Sequence, residues 1–154
     1  MTRIVWQGAE SGFAGRSPTM KLDMMHRETS ALITRGTQGL GLAIVRQLID
    51  EGCRKLVIAS RDMDRGMKVA ADLSKDGVEV RFLAVGMGDV AAVRAMVDEA
   101  HDTMGRITAF VNAAANTDRG SILDTTPERW DAIMDVNAKG AFFALQRVAQ
   151  LAVE

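Results

Sequence analysis

The sequence contains no tyrosine, a single cysteine (Cys53) and only two histidines among its 154 residues. One cysteine cannot form a disulfide within the chain, and this favours a reducing compartment such as the cytoplasm. The two histidines, His26 and His101, are far apart in the sequence, so we predict that no metal is bound. The absence of tyrosine excludes a phenol as the acid or base of any reaction that these residues perform.

Strong charge and long apolar runs are also missing. The formal net charge at pH 7 is -1, which provides no basic field for nucleic acid and no polybasic patch for a membrane surface. No apolar run approaches the roughly 20 residues that a membrane-spanning helix requires, and residues 1–20 lack the apolar core of a secretory signal. We therefore expect a cytoplasmic protein with no nucleic-acid or membrane partner.

The chain changes character at about residue 29. Residues 1–28 lack apolar periodicity and are rich in glycine and serine, so we expect a disordered N-terminal extension there. Beyond them, strands are predicted over 31–34, 55–60, 78–85 and 107–112, and helices over 40–51, 63–75, from 90 onward and from 127 to the end. Strands joined by connections too long for hairpins favour an α/β fold, a doubly wound parallel sheet with helices on both faces.

Local signals predict where the helices begin and which faces they bury. Asp89 is a predicted N-cap, and Thr126, Pro127 and Glu128 combine an N-cap, a first-turn proline and an early acid. The second helix is predicted to bury Met63, Met67, Ala70 and Leu73. The last helix carries an apolar stripe formed by Trp130, Ile133, Met134, Ala141, Leu145, Val148 and Leu151.

A glycine-rich turn, "TRGTQGLG" over residues 34–41, follows the first predicted strand. At the C-terminal end of a parallel strand, such a turn lets backbone N–H groups and the N-terminus of the next helix bind the phosphates of a dinucleotide. Glycines before a helix are, by themselves, equally typical of an ordinary tight turn. The turn alone therefore leaves both interpretations open.

The end of the second strand favours a phosphorylated cofactor. Ser60 and Arg61 follow the glycine turn by about 20 residues, where a dinucleotide fold contacts the adenosine ribose. An acid there would bind the 2′-hydroxyl of NAD, and a methyltransferase-type site would also favour an acid, whereas a hydroxyl and a guanidinium suit a 2′-phosphate. The pair therefore predicts NADP(H), although a solvated surface charge remains the alternative for Arg61.

Five motifs in order resemble the N-terminal half of the short-chain dehydrogenase/reductase family. They are "TRGTQGLG" at 34–41, "SRD" at 60–62, "VGMGDV" at 85–90, "VNAAA" at 111–115 and "NAKG" at 137–140. The resemblance runs from about Thr29 to Glu154 and implies a Rossmann-type doubly wound sheet, truncated after the fourth strand and its long helix. We interpret residues 29–154 as a partial NADP(H)-binding domain.

The resemblance implies a role for each matching position. The residues expected to bind NADP(H) are Thr34, Gly36, Thr37, Gln38, Gly39, Leu40, Gly41, Ser60, Arg61, Met87, Asn112, Ala113 and Ala114. Asn137 would match the asparagine of the family's catalytic tetrad, which helps to hold a proton-relay water. The resemblance also implies a small-molecule carbonyl or alcohol substrate in the full-length relative, and a homo-oligomer formed through the helix at 127–154.

Three positions depart from the family's pattern. Arg35 replaces the first glycine of the turn, Gly86 replaces an aspartate that binds adenine, and Ala115 replaces a glycine. A side chain at position 35 would crowd the cofactor, and a positive φ there would add strain. Losing the aspartate removes one hydrogen bond worth about 1 kcal/mol. Of the three changes, Arg35 is expected to be the most damaging.

The family's serine and its Tyr-x-x-x-Lys pair would follow the last residue of this sequence. We therefore expect the cofactor-binding half of an NADP(H)-dependent oxidoreductase, inactive as this chain alone, with an exposed edge at the fourth strand. The alternatives are a non-catalytic NADP(H)-binding or dimerising module, and a fold without a ligand. Equilibrium binding of NADPH separates them: tight binding favours the module, weak binding the damaged enzyme half, and no binding the third alternative.

Overall fold

The computed structural model describes residues 25–118 and 120–153. Strands β1 (Ser30–Thr34), β2 (Lys55–Ser60), β3 (Glu79–Ala84) and β4 (Ala109–Asn112) form one parallel sheet. Helices α1 (Gly39–Asp50), α2 (Met63–Leu73) and α3 (Val90–Met104) connect the strands, and α4 (Pro127–Met134), a π-helical segment (Asp135–Gly140) and α5 (Ala141–Val153) follow β4. The predicted α/β alternation is confirmed. The disordered extension predicted over 1–28 falls mainly on residues 1–24, which lie outside the described residues.

The two central strands are covered on both faces, which explains their uninterrupted apolar sequences. Their side chains alternate between two clusters: Leu32, Val57 and Ala59 lie in one, and Ala31, Ile33, Leu56 and Ile58 lie in the other. The first cluster includes residues of α3 and α5, and the second includes residues of α1 and α2. The sheet is therefore the middle layer of a three-layer fold.

The strand order β3-β2-β1-β4 reverses the direction of winding between β1 and β4. Thr34 pairs with Ala59 on one side and with Asn112 on the other, and Ser60 pairs with Ala84, so all four strands end at one edge of the sheet. In open α/β sheets, ligands bind at the carboxyl ends of the strands where the order reverses. This topology places the candidate site over the ends of β1 and β4.

The predicted helix starts are confirmed. The Asp89 carboxylate accepts hydrogen bonds from the backbone N–H groups of Ala91 and Ala92 at 2.9 and 3.2 Å. The Thr126 hydroxyl accepts one from the N–H of Arg129 at 3.3 Å, and Pro127 occupies the first turn of α4. Both caps satisfy N–H groups that have no partner within the helix.

The predicted apolar face of α2 is wrong in part. Met63 and Met67 are 54% and 58% exposed, whereas Gly66 and Ala70 are buried. The helix packs so closely on β3 that a Cβ atom at position 66 would lie 2.1 Å from the Phe82 ring. Because glycine has no side chain, a hydropathy pattern does not indicate it as a contact residue and indicates the methionines on the neighbouring face instead.

The last helical region is less uniform than predicted. Ala144 is fully buried, while Trp130, Phe142 and Leu145 are 59%, 59% and 56% exposed. Among the described strands β4 pairs only with β1, so it forms an edge of the sheet, as expected. No helix within the described ranges combines the length and apolar character required to cross a bilayer.

Candidate functional site

The turn after β1 adopts a conformation that disfavours most side chains. Arg35 has a φ of 51°, in the left-handed region, where a residue with a Cβ atom is less stable by roughly 1–2 kcal/mol. The Arg35 carbonyl oxygen packs against α1, and a Cβ atom at position 41 would lie 2.3 Å from it. Gly41 therefore permits a close approach, while Arg35 occupies a position that glycine would fill without strain.

A buried hydroxyl joins the ends of β1 and β4. Thr34 is 1% exposed, and its Oγ1 donates to Oδ1 of Asn112 at 2.7 Å. The same oxygen accepts hydrogen bonds from the backbone N–H groups of Ala113 and Ala114, both at 3.1 Å. One donated and two accepted bonds use the full capacity of a hydroxyl. Thr34 thus holds the two strand ends together beneath the site.

Side chains also join the glycine turn to the end of β2. Thr37 Oγ1 donates to Oγ of Ser60 at 3.2 Å, and the guanidinium of Arg65 donates to Oε1 of Gln38. Arg65 also forms an ion pair with Asp62, with Nη2 and Oδ2 3.0 Å apart. These contacts place the turn and the first residues of α2 on one side of the sheet edge.

A cavity of about 150 Å³ opens between these elements. Its lining residues are Arg35, Thr37, Gln38, Ala59, Ser60, Arg61, Arg65, Val85, Met87, Ala114, Ala115, Asn116 and Val136. Among the described residues, the lining includes guanidinium groups but no carboxylate. Such an arrangement attracts anionic ligands, and the N-terminus of α1 adds a partial positive charge beside it.

The π-helical segment forms the wall beyond β4. Asn137 Oδ1 accepts a hydrogen bond from the backbone N–H of Asn116 at 2.7 Å, and Asn137 Nδ2 donates to the Asn116 carbonyl at 2.8 Å. Asn116 Nδ2 also donates to the Ala132 carbonyl at 3.2 Å. Short π-helical turns inside α-helices occur frequently at functional sites. Here the turn holds the loop after β4 against the cavity.

A family model described as short chain dehydrogenase matches residues 29–154. The chain belongs to the short-chain dehydrogenase family. The NADP-dependent (R)-specific alcohol dehydrogenase of Lentilactobacillus kefiri is 36% identical over 113 residues, which cover 73% of this chain and 44% of that protein. The probable galactose dehydrogenase GalD of Rhizobium meliloti is 34% identical over 126 residues, which cover 80% of this chain and 48% of that protein.

Solved structures agree with the family assignment. A Burkholderia cenocepacia short chain dehydrogenase in complex with NADP has a TM-score of 0.76 and 29% identity, and the match covers 80% of this chain and 51% of that one. L-Sorbose reductase from Gluconobacter frateurii, complexed with NADPH and L-sorbose, has a TM-score of 0.75 and 26% identity, covering 80% and 47%. This short-chain dehydrogenase sequence spans about half the length of the curated relatives that it matches.

The structure brings together part of the predicted cofactor-binding set of this short-chain dehydrogenase. The predicted cofactor-binding residues that line the cavity are Thr37, Gln38, Ser60, Arg61, Met87 and Ala114. The remainder lie outside the lining: Thr34, Gly36, Gly39, Leu40, Gly41, Asn112 and Ala113. Thr34, Asn112 and Ala113 belong to the joint between β1 and β4, whereas Leu40 is 72% exposed.

Sequence reasoning missed Arg65 as a cavity residue. Arg65 lies in the first turn of α2, three positions after the N-cap Asp62, and both Arg61 and Arg65 line the cavity. Asp62 caps α2 by accepting a hydrogen bond from the N–H of Arg65 at 3.0 Å, and this cap fixes where the helix begins. The available signal was this cap, which places a second arginine in the first helical turn after Arg61.

Two groups away from the cavity have shifted pKa values. Burial raises the pKa of the Cys53 thiol, whose Sγ donates to the Thr29 carbonyl at 3.1 Å. A hydrogen bond with the Thr126 side chain lowers the pKa of Glu128 at the start of α4. Neither residue lines the cavity, so these shifts concern the scaffold.

Proposed function

We propose that this chain forms the NADP(H)-binding half of a short-chain oxidoreductase, which transfers hydride between NADP(H) and a small-molecule carbonyl or alcohol. The observation that carries the proposal is the cavity at the carboxyl ends of the strands, where the glycine turn meets Ser60 and Arg61. A relative named as NADP-dependent and a similar structure solved with NADP support the choice of cofactor.

The charges of the cavity fit a phosphorylated dinucleotide. In this proposal the 2′-phosphate lies between Arg61 and Arg65, and backbone N–H groups of the glycine turn bind the pyrophosphate. Arg61 is exposed and has no hydrogen-bond or ion-pair partner within the described part of the chain, so its guanidinium is available. Val85 and Met87, both buried, form an apolar wall for the adenine.

The bound cofactor supplies or accepts the hydride, while the residues of this chain position it. Asn137 uses its carbonyl oxygen and one amide hydrogen on the Asn116 backbone, which leaves the second amide hydrogen to hold a proton-relay water. The 154 residues contain no tyrosine to exchange a proton with the substrate oxygen. We therefore propose that this chain does not reduce a carbonyl by itself.

The proposal includes self-association through the last helical region. Phe142 and Leu145 are more than half exposed on α5, and Trp130 is equally exposed on α4. Burying such side chains is favourable by about 1.5–3 kcal/mol each, which supports pairing with a second copy. A cytoplasmic location and the absence of nucleic-acid partners stay predictions from composition.

Equilibrium binding of NADPH and NADH to the 154-residue chain tests this function. We expect NADPH to bind more tightly than NADH, and Arg61→Gln to reduce that preference by about tenfold or more, because a charge-assisted hydrogen bond is worth about 1.5–3 kcal/mol. Arg81→Gln is the matched control, since Arg81 is exposed on β3, pairs with Glu79 and does not line the cavity. Failure of a folded chain to bind either nucleotide would refute the proposal.

A further inference from the structure

One side chain crosses the crevice where the strand order reverses. Arg35 follows β1, Ala115 follows β4, and these strands are neighbours in the sheet. Arg35 Nη1 donates a hydrogen bond to the Ala115 carbonyl oxygen at 3.4 Å. The side chain therefore extends over the crevice that ligands of open α/β sheets occupy.

Both ends of this crossing are held by the surrounding structure. At one end, the Arg35 carbonyl packs against Gly41 so closely that no Cβ atom fits between them. At the other end, Ala115 lies between Ala114, whose N–H donates to Thr34, and Asn116, whose backbone makes two hydrogen bonds with Asn137. Opening the crevice thus requires the Arg35 side chain itself to rotate away.

The part of the cavity on the β2 side of Arg35 differs from the part beside Ala115 and Asn116. Ser60, Arg61 and Arg65 provide hydroxyl and guanidinium donors, and Val85 and Met87 provide an apolar wall. These groups suit a nucleoside with a phosphate on its ribose. The second half of a dinucleotide would have to continue from the glycine turn towards Asn116, past the Arg35 guanidinium.

We propose that Arg35 closes the crevice, so that this site binds a nucleoside 2′,5′-bisphosphate about as tightly as the complete dinucleotide. The inference rests on the proposed function, because it concerns the same cavity. Its ligand class is the adenosine half of NADP(H) with both phosphates and without the nicotinamide riboside. The remainder of the dinucleotide gains its contacts only by breaking the bond between Arg35 and Ala115.

The test compares 2′,5′-ADP with NADPH on the 154-residue chain by isothermal titration calorimetry. For the wild type, we expect the two dissociation constants to agree within about threefold. In Arg35→Gly, the ratio of the 2′,5′-ADP constant to the NADPH constant should rise roughly two- to tenfold, the range that one hydrogen bond represents. Both ligands carry a 5′-phosphate near the turn, so the loss of the arginine charge largely cancels in this ratio.

Two further variants distinguish exclusion of the dinucleotide by the Arg35 guanidinium from an effect of backbone strain at position 35. Arg35→Asn keeps a residue that tolerates a positive φ but is too short to reach Ala115, so it should raise the ratio as Arg35→Gly does. Arg65→Gln removes a different guanidinium from the same cavity and should weaken both ligands while leaving the ratio unchanged. A rise in Arg35→Gly without a rise in Arg35→Asn would assign the effect to strain and overturn the proposal.

The remaining outcomes are also decisive. A wild-type chain that binds NADPH more than tenfold more tightly than 2′,5′-ADP would overturn the inference and leave the proposed function intact. A lower ratio in Arg35→Gly would show that the guanidinium binds the dinucleotide instead of excluding it. No binding of either ligand to folded wild type and folded Arg35→Gly would refute the proposed function itself.

Discussion

The two sides of the strand-order reversal differ in how their polar groups are used. On the β2 side, hydroxyl, amide and guanidinium groups contact one another at the cavity surface, as in the Thr37–Ser60 and Gln38–Arg65 pairs. On the β4 side, buried or paired groups such as Thr34 and Asn137 bind backbone amides. The first kind of contact can be exchanged for a ligand, whereas the second fixes the positions of strands and loops.

The largest effect is expected where the two sides meet. Thr34→Val keeps the shape of the side chain but removes the partner of Asn112, Ala113 and Ala114. Leaving buried polar groups without partners should lower the free energy of unfolding by roughly 3 kcal/mol, measured by urea denaturation. Thr103→Val is the control, because the Thr103 hydroxyl makes no hydrogen bond within residues 25–118 and 120–153. Equal losses in both variants would contradict the structural role of Thr34.

The next effect concerns the exposed helix on the β4 side. Replacing Phe142 and Leu145 together by lysine should weaken self-association at least tenfold, because burying two charges in the interface is unfavourable, as measured by sedimentation velocity. Met63 and Met67, similarly exposed on α2, provide the matched double-lysine control. If both double variants associate equally, the interface does not lie on α5.

A smaller effect is expected on the β2 side. Arg65→Gln should reduce the preference for NADPH over NADH by about three- to tenfold, because the half-exposed guanidinium is partly screened by solvent. Asp62→Asn should change the preference in the opposite direction, since it removes the competing carboxylate while its amide oxygen still caps α2. Titration with both nucleotides measures the effect, and a decrease in Asp62→Asn would argue against a phosphate at Arg65.

The smallest effect lies at the opposite edge of the sheet, before β2. Because burial raises the pKa of Cys53 above its ordinary value of 9.0, the folded chain favours the neutral thiol. The stabilisation by the neutral Cys53 thiol is complete below about pH 9 and decreases as the pH rises towards the pKa of this thiol in the folded chain. Between pH 8.5 and 10, the free energy of unfolding should fall further in the wild type than in Cys53→Ser. The difference between the two falls should stay below about 1 kcal/mol, as measured by denaturation at each pH. Parallel pH profiles would show that the thiol ionises equally in both states.

The sequence predicted the sheet and its edge well, because apolar runs and capping residues are local signals. β2 lies at the predicted residues 55–60, and Asp89 caps α3 as expected. The position of Arg35 in the glycine turn indicated that a positive φ there would add strain, and the observed φ is 51°. Such features depend on a few neighbouring residues, which the sequence displays directly.

The features that were missed depend on packing between distant segments. The contact between Arg35 and Ala115 joins residues 80 positions apart, and no periodic pattern indicates which carbonyl an arginine reaches. Gly66 faces β3 only because α2 lies close to Phe82. The π-helical segment was not predicted either, because a hydropathy stripe does not distinguish it from a regular α-helix.

That segment has a practical consequence for anyone who shortens or fuses this region. A π-helical turn accommodates an additional residue within an otherwise regular helix, and each residue of an α-helix turns the chain by about 100°. Because this turn already holds the additional residue, deleting one residue between Asp135 and Gly140 would let it close into regular α-helix and leave the faces of α4 and α5 in nearly the same relation. The same deletion in a regular helix would rotate everything beyond it by that angle and move the buried Ala144 away from its contacts, so the π-helical turn is the place where this region tolerates a change of length.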